Sequence, residues 1–454
     1  TRDGLEMGRA QVAQAEAAGL EPMVDMNPVL LKPTGQACSQ VVLMGKSIGN
    51  MSAREYHKGY SLKAFDTVKE ALGRLQKSYD TIVIEGAGSP AEVNLKANDI
   101  VNMRVAKYLQ APVLLIADID RGGALASLVG TLELLDEDER ALVKGLVINK
   151  FRGDVSLLTP AVDFLEQKTG KPVLGIVPHI DQLGIDDEDS VSLEEKQAAP
   201  AEGEIRIAVI QTPKLSNFTD FDSLAAEPDV SLYYVQQADD LGEPDLILLP
   251  GSKNTTEDLL YLRQSGIEAR IRARVEAGTP LWGICGGYQM MGQEVLDPEH
   301  VEGDIERLPG LGLLPISTRM SGEKVTRQVK FGLCNPHSPS STLHSPLMQG
   351  YEIHMGVTTP VEGTPDSPLN LLENGSTDGY CVDSTCMGTY IHGILDNPEF
   401  IDFLLAPFAD KLSGNAGAFD YHTFKEEQYD RLAEHVRRHV NLPLIYQILT
   451  KNHD

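Results

Sequence analysis

The sequence is poor in cysteine, in long apolar runs and in positive charge, and each shortage excludes a class of protein. Five cysteines in 454 residues (Cys38, Cys285, Cys334, Cys381 and Cys386), with no Cys-x-x-Cys pair, make neither a disulfide framework nor a zinc site. That usage points to a reducing cytoplasm. No apolar run reaches the ~18 residues that a membrane span requires. Lys and Arg number 39 against 66 Asp and Glu, a formal net charge of −27, which argues against non-specific binding to nucleic acid or to an anionic membrane. What is present is a hydrophobic fraction of 42% with 23% charged residues, which excludes a disordered chain. At ~100–200 residues per domain the length suggests two to four domains.

Short apolar runs divide the chain into two α/β halves. In the first, Thr81-Ile-Val-Ile-Glu85, Val113–Asp118, Leu146–Asn149 and Val173–Val177 read as buried parallel strands. Helix-length segments such as Ile100–Leu109 and Leu157–Lys168 fill the gaps, as repeated βαβ units require. The text then turns acidic and loses its period across residues 181–204, which reads as a linker. Strands are expected again at Ile205–Ile210, Leu246–Leu249, Leu281–Ile284 and, more weakly, Gly312–Pro315; Phe424–Val440 reads as a helix.

The sharpest chemical signal is Leu281-Trp-Gly-Ile-Cys-Gly-Gly-Tyr-Gln289, an apolar strand running into a Gly-flanked cysteine and then a helical segment. A nucleophile on a strand-to-helix elbow sits in strained backbone and needs small neighbours. The helix start behind it favours the thiolate, and the amide after it can bind an oxyanion. Cys285 is therefore the candidate nucleophile. Among eleven histidines, His392 in Gly388-Thr-Tyr-Ile-His-Gly393 ends a strand-like run and is the candidate base. His354 is its rival, or else a substrate contact. The turn in Leu248-Leu-Pro-Gly-Ser-Lys-Asn-Thr255 offers a second oxyanion amide around Gly251, beside that of Gly286.

Three polar motifs close three expected strands of the first half: Glu85-Gly-Ala-Gly-Ser-Pro90, Asp118-Ile-Asp-Arg-Gly-Gly123 and Asn149-Lys-Phe-Arg-Gly-Asp154. Their convergence on one face favours a nucleotide site, with Glu85 suited to Mg²⁺. A phosphate loop is missing. Gly45-Lys46-Ser47 is rejected because the pattern demands Gly at the position of Gln40.

These motifs resemble class I glutamine amidotransferases, in the variety found in the cobyric acid synthase family. The resemblance runs from Thr1–Gln11 through Val24–Pro28, Ile48–Ser52, Asp99–Met103, Ser216-Asn-Phe-Thr-Asp-Phe-Asp222 and Gly350–Gly356 to His392. It implies an α/β chain of two doubly wound domains. Residues 1–180 would form a P-loop, dethiobiotin-synthetase-like domain, 181–204 the linker, and 205–454 the amidotransferase domain with a helical tail. It also implies that the sequence lacks about one N-terminal βα unit carrying the phosphate loop, so that ATP binds poorly. The implied reaction is ATP- and glutamine-dependent amidation of the carboxylates of a corrinoid, in a cytoplasmic enzyme with a homo-oligomer as its candidate assembly. Glu85 would hold Mg²⁺. Asn149 resembles the adenine-reading Asn of the dethiobiotin synthetase fold, and Asp99 and Asp118 would align the substrate carboxylate or the metal. Class I triads add a Glu two residues after the His; here that position is Ile394, and Asp396 has no motif support, so no third member is assigned. The alternative is a glutaminase-competent fragment, or a non-catalytic relative, of an amidoligase acting on another polycarboxylate.

Overall fold

Strands buried on both faces must be apolar at every position, and Ile205–Ile210, Leu246–Leu249 and Leu281–Ile284 satisfy this and form with the expected bounds. A computed structural model describes all residues except 36–37, 121, 182, 186–203, 335–346, 384, 413–418 and 451–454. Most of the expected linker at 181–204 therefore lies outside the described residues.

Two compact units result: Thr1–Met23 with Asp186–Phe424, and Val24–Ile185 with Lys425–Asp454. The division near residue 185 falls where the acidic stretch begins, but both chain ends differ from the expected division. The first 23 residues pack with the larger unit rather than with 24–185, and the last thirty with the smaller.

The larger unit is built on a six-stranded sheet in the order 380–381, 386–389, 281–284, 246–249, 205–210, 230–235. Its four central strands and 230–235 run parallel, and only 380–381 is antiparallel. A second sheet is dominated by the antiparallel pair Ile316–Leu333 and Met348–Pro360, to which Ile391–His392 adds at Tyr351↔His392. The chain thus leaves the first sheet at Thr389 and joins the second at Ile391. The expected strand at Gly312–Pro315 does not form; Gly312 turns with φ +64° and the strand begins at Ile316.

In the smaller unit, Val113–Asp118, Val143–Phe151 and Val173–Pro178 form a parallel sheet. Leu146 and Ile148 face the intervening helices. Val147, Leu174 and Val177 face Val440, Leu444, Ile445 and Ile448 of the C-terminal segment, which therefore completes the doubly wound arrangement. The expected strand at Thr81–Glu85 is absent. Its residues carry no regular secondary structure, with Val83 93% and Ile84 42% exposed. It pairs with none of the described strands, although the outer edge of Val113–Asp118 is open. A separate antiparallel sheet of Val29–Gly35, Cys38–Leu43 and Lys46–Ser52 was not foreseen. Gly45 lies in the hairpin turn before Lys46, consistent with rejecting Gly45-Lys46-Ser47 as a phosphate loop.

Candidate active site

Cys285 occupies the junction of strand Leu281–Ile284 and helix Gly286–Met290, with φ +52° and ψ −108°. A non-glycine residue there is strained, and the surroundings hold it in place: its amide donates to Thr389 O at 2.8 Å and its carbonyl accepts from Gln289 N at 3.0 Å. The flanking glycines are required by close approach. A Cβ on Gly286 would lie 2.7 Å from Ser252 N, and one on Gly287 would lie 2.1 Å from Leu249 O. The Gly251–Ser252 turn is thereby pressed against the elbow, where two backbone amides can converge on an oxyanion. That turn is itself fixed by Asp258, which accepts from Ser252 Oγ at 2.6 Å and from Lys214 N at 3.0 Å.

His392 is 1% exposed. Its Nδ1 lies 2.6 Å from Asp220 Oδ2 and 2.9 Å from Asn217 Nδ2, and Gly393 N donates to Asp220 Oδ1 at 3.1 Å. Tyr351 stacks on the ring, with centroids 5.3 Å apart. A Cβ on Gly251 would lie 3.4 Å from His392 Cε1, so the oxyanion turn and the imidazole share one site. With Nδ1 committed to Asp220, Nε2 is the ring nitrogen left for Cys285. Burial works against the imidazolium, but the Asp220 carboxylate, Cys285 and the hydrogen bonds to both raise its pKa to about 10. The arrangement is a cysteine with a positively charged acid–base partner. This is what is needed to protonate a leaving amine after thiolate attack.

Asp220 is the residue that the sequence reading missed. It lies 172 positions from His392, inside the Ser216–Asp222 segment that carried part of the resemblance. Its position just after a central strand, at the end of the sheet where Cys285 sits, was the available signal. His354 is not the base: it stacks on Tyr390 at 3.8 Å, its Nδ1 lies 3.2 Å from Gly356 O, and burial lowers it to about 4.

The four residues assigned to nucleotide or metal fall into two neighbourhoods, the loop after Glu85 being tied to the segment after Asp99 by Asn102 Nδ2, which donates to Ala87 O at 2.8 Å. Asp118 and Asn149 are cross-strand neighbours at the strand ends, with Lys150 Nζ 3.0 Å from the Asp118 carboxylate. Asp99 spends its carboxylate on the amides of Val101 and Asn102, in the wall of a cavity of about 600 Å³ that Tyr56, Phe65 and Lys107 also line. Glu85 stands exposed on a loop rather than at a strand end. Among the described residues no group of three or more His, Cys, Asp or Glu could hold a metal ion.

Fold and elbow define the larger unit as a glutamine amidotransferase domain, and residues 206–400 match the CobB/CobQ-like glutamine amidotransferase domain family, with 26–186 matching an AAA domain family. The chain is 54% identical over 454 residues to a cobyric acid synthase of Bacteroides fragilis, covering 100% of this chain and 90% of the relative. Similar relatives of the same name occur in Phocaeicola vulgatus (52%, covering 100% and 90%) and Pelotomaculum thermopropionicum (52%, covering 99% and 88%). The chain belongs to the cobyric acid synthase family. Among the described residues, no helix is long and apolar enough to cross a membrane.

Proposed function

We propose that this chain is a glutamine-dependent amidoligase. It would convert the b, d, e and g carboxylates of adenosylcobyrinic acid a,c-diamide into amides, yielding cobyric acid for cobalamin biosynthesis in the cytoplasm. The observation that carries the glutaminase half is the buried Asp220–His392 contact at 2.6 Å behind the strained Cys285.

The Cys285 thiolate attacks the side-chain carbonyl of glutamine, and the oxyanion that forms is held by the Gly251 and Gly286 amides. His392 gives its Nε2 proton to the departing nitrogen, and ammonia leaves. The neutral imidazole then takes a proton from water, whose oxygen attacks the thioester and releases glutamate. Asp220 keeps the Nδ1 proton in place throughout. In the smaller unit, transfer of the ATP γ-phosphoryl group to a corrinoid carboxylate makes an acyl phosphate. Ammonia attacks that carbon, and phosphate leaves with the C–O bond. Asn149 would read the base of the nucleotide. Asp118 with Lys150 would face its phosphates, Lys150 supplying the positive charge. Asp99 and Glu85 have weaker support in these roles, for the reasons of placement given above.

The test is glutamate release from glutamine by the protein and by its Cys285→Ser variant, with and without ATP and cobyrinic acid a,c-diamide. Release that disappears in the variant is the expected result. Equal release by both proteins would overturn the role of Cys285, and no release under any condition would overturn the glutaminase reading for this chain.

A further inference from the structure

The chemistry above asks two backbone amides on separate segments to meet one oxygen. Gly251 N belongs to the turn after strand Leu246–Leu249, and Gly286 N to the start of the elbow helix. A donor serves an oxyanion only within about 2.7–3.1 Å of it, so the two segments must hold their separation to a fraction of an ångström. Packing stops them approaching, since Gly286 already sits against the backbone of Ser252. Contact alone does not stop them drifting apart.

Thr255 supplies that restraint. It opens the helix Thr255–Gln264 just beyond the oxyanion turn and is fully buried. Its hydroxyl donates to Gln289 Oε1 at 2.9 Å, and Gln289 is the residue that closes the elbow, its amide donating to Cys285 O at 3.0 Å. The direction of the side-chain bond is forced. Gln289 Nε2 lies 3.0 Å from Met355 O, which can only accept, so the NH₂ group faces Met355 and the oxygen faces Thr255. Nε2 also lies 3.1 Å from the Tyr390 hydroxyl, so the Gln289 amide cannot turn without breaking both contacts. The Thr255 end is equally committed. Its amide donates to Glu302 Oε2 at 2.7 Å, Asn254 Nδ2 donates to Glu302 O at 2.9 Å, and Asn254 N donates to Ser252 Oγ at 3.0 Å. Glu302 is fixed in turn by the buried Asp297, whose carboxylate accepts the amides of Val301, Glu302 and Gly303.

We infer that Thr255 is a positioning residue for the glutaminase reaction: its hydroxyl, bonded to Gln289, sets the spacing between the Gly251 and Gly286 amides that hold the oxyanion. This rests on the glutaminase reading of Cys285 and of those two amides. Thr255 acts through Ser252 on one side and Gln289 on the other. A serine keeps the bond. A valine keeps the branched shape but leaves Gln289 Oε1 buried without its donor, and relief of that unpaired acceptor requires the two segments to move. The spacing matters most once the carbonyl oxygen has become an oxyanion, so the bond is felt in the transition state more than in bound glutamine. Its loss therefore falls on kcat rather than on KM.

The test measures kcat and KM for glutamate release from glutamine and, in parallel, the rate at which iodoacetamide alkylates Cys285, followed by peptide mass spectrometry. In the alkylation the thiolate sulfur bonds to a saturated carbon as iodide leaves, and no oxyanion forms, so it reads the thiol and the elbow alone. Thr255→Val should lower kcat ~10–100-fold, short of the full loss of an oxyanion donor, with KM changed less than ~3-fold and the alkylation rate unchanged. Thr255→Ser should keep most of the wild-type kcat. A valine variant with kcat within ~2-fold of wild type would overturn the inference. So would a parallel fall in alkylation, which marks general damage to the elbow, or a serine variant as impaired as the valine one. Should Thr255→Val fail to fold by circular dichroism and thermal unfolding, Thr255→Ala is compared with Thr255→Ser by the same criteria. Wild-type protein without Cys285-dependent glutamate release would overturn the glutaminase reading and this inference with it, whereas failure in the variants alone overturns only the role of Thr255.

Discussion

Replacing Asp220 by Asn keeps the size of the side chain and removes its charge, which makes it the most informative single change. Asp220 accepts the Nδ1–H of His392 at 2.6 Å and the Gly393 amide at 3.1 Å, with side-chain exposures of 4% for the aspartate and 1% for the histidine. An asparagine can turn its NH₂ toward Nδ1 and so favour the tautomer that carries its proton on Nε2. The Nε2 proton would then face the thiol with no charge to stabilise the imidazolium. Losses of about 10²–10⁴ in rate are typical when such a carboxylate or an oxyanion donor is removed, or roughly 3–5 kcal/mol of barrier. Assays should show glutamate release falling within that range while KM for glutamine changes little. The pH profile separates positioning from a purely structural role. The Asp220 charge is among the causes holding His392 at about 10, so the alkaline limb of kcat/KM should move to lower pH in the variant. The stability linkage has the matching sign: a histidine raised from 6.5 to about 10 stabilises the fold fully below 6.5 and loses that contribution as pH rises through about 10. A variant with near wild-type rate and an unmoved alkaline limb would refute the reasoning.

Two further outcomes follow from packing. Gly286→Ala puts a methyl group 2.7 Å from the backbone nitrogen of Ser252, so the oxyanion turn must shift; glutamate release should fall at least ~100-fold, comparable to the loss of one oxyanion donor, and thermal unfolding should come at lower temperature. Leu174→Ala removes a side chain that is 1% exposed between the parallel sheet and the C-terminal helix, and denaturant titration should show a loss of about 2–5 kcal/mol in the smaller unit with Cys285 chemistry unchanged.

Much of this architecture is legible locally, and what is not shares a physical cause. Val113–Asp118 and Leu281–Ile284 are uninterrupted apolar runs whose burial is written in their own residues. Thr81–Ile84 is similarly apolar yet joins none of the described sheets, since a strand is made by its pairing as well as by its own residues. Ile316–Leu333 is invisible to a search for apolar runs: Arg319, Lys324 and Arg327 interrupt it, and it becomes a strand through its antiparallel partner at 348–360. At the site, Cys285 and Gly286 announce themselves because a strained elbow forces its own neighbours to be small. His392 is legible as the end of a strand. Asp220 is hidden because a carboxylate can reach an imidazole from any element that the sheet brings close, and here it comes from the loop following strand 205–210, far from Ile394 where a local pattern would seek it. The ion pair of Glu6 with Lys324 is hidden for the same reason, being separated by most of the chain.

The exchange of chain ends between the units has a consequence for taking the protein apart. The backbone passes from one unit to the other at 23/24, again at 185/186 and a third time at 424/425. A protease that cuts only within the acidic stretch therefore severs one of three covalent ties. Each half would keep a strip of sequence belonging to the other, so that neither unit is a contiguous stretch of gene. Expressing 205–454 alone would produce an amidotransferase without Glu6 beside Lys324 and with an apolar C-terminal helix whose sheet has been left behind.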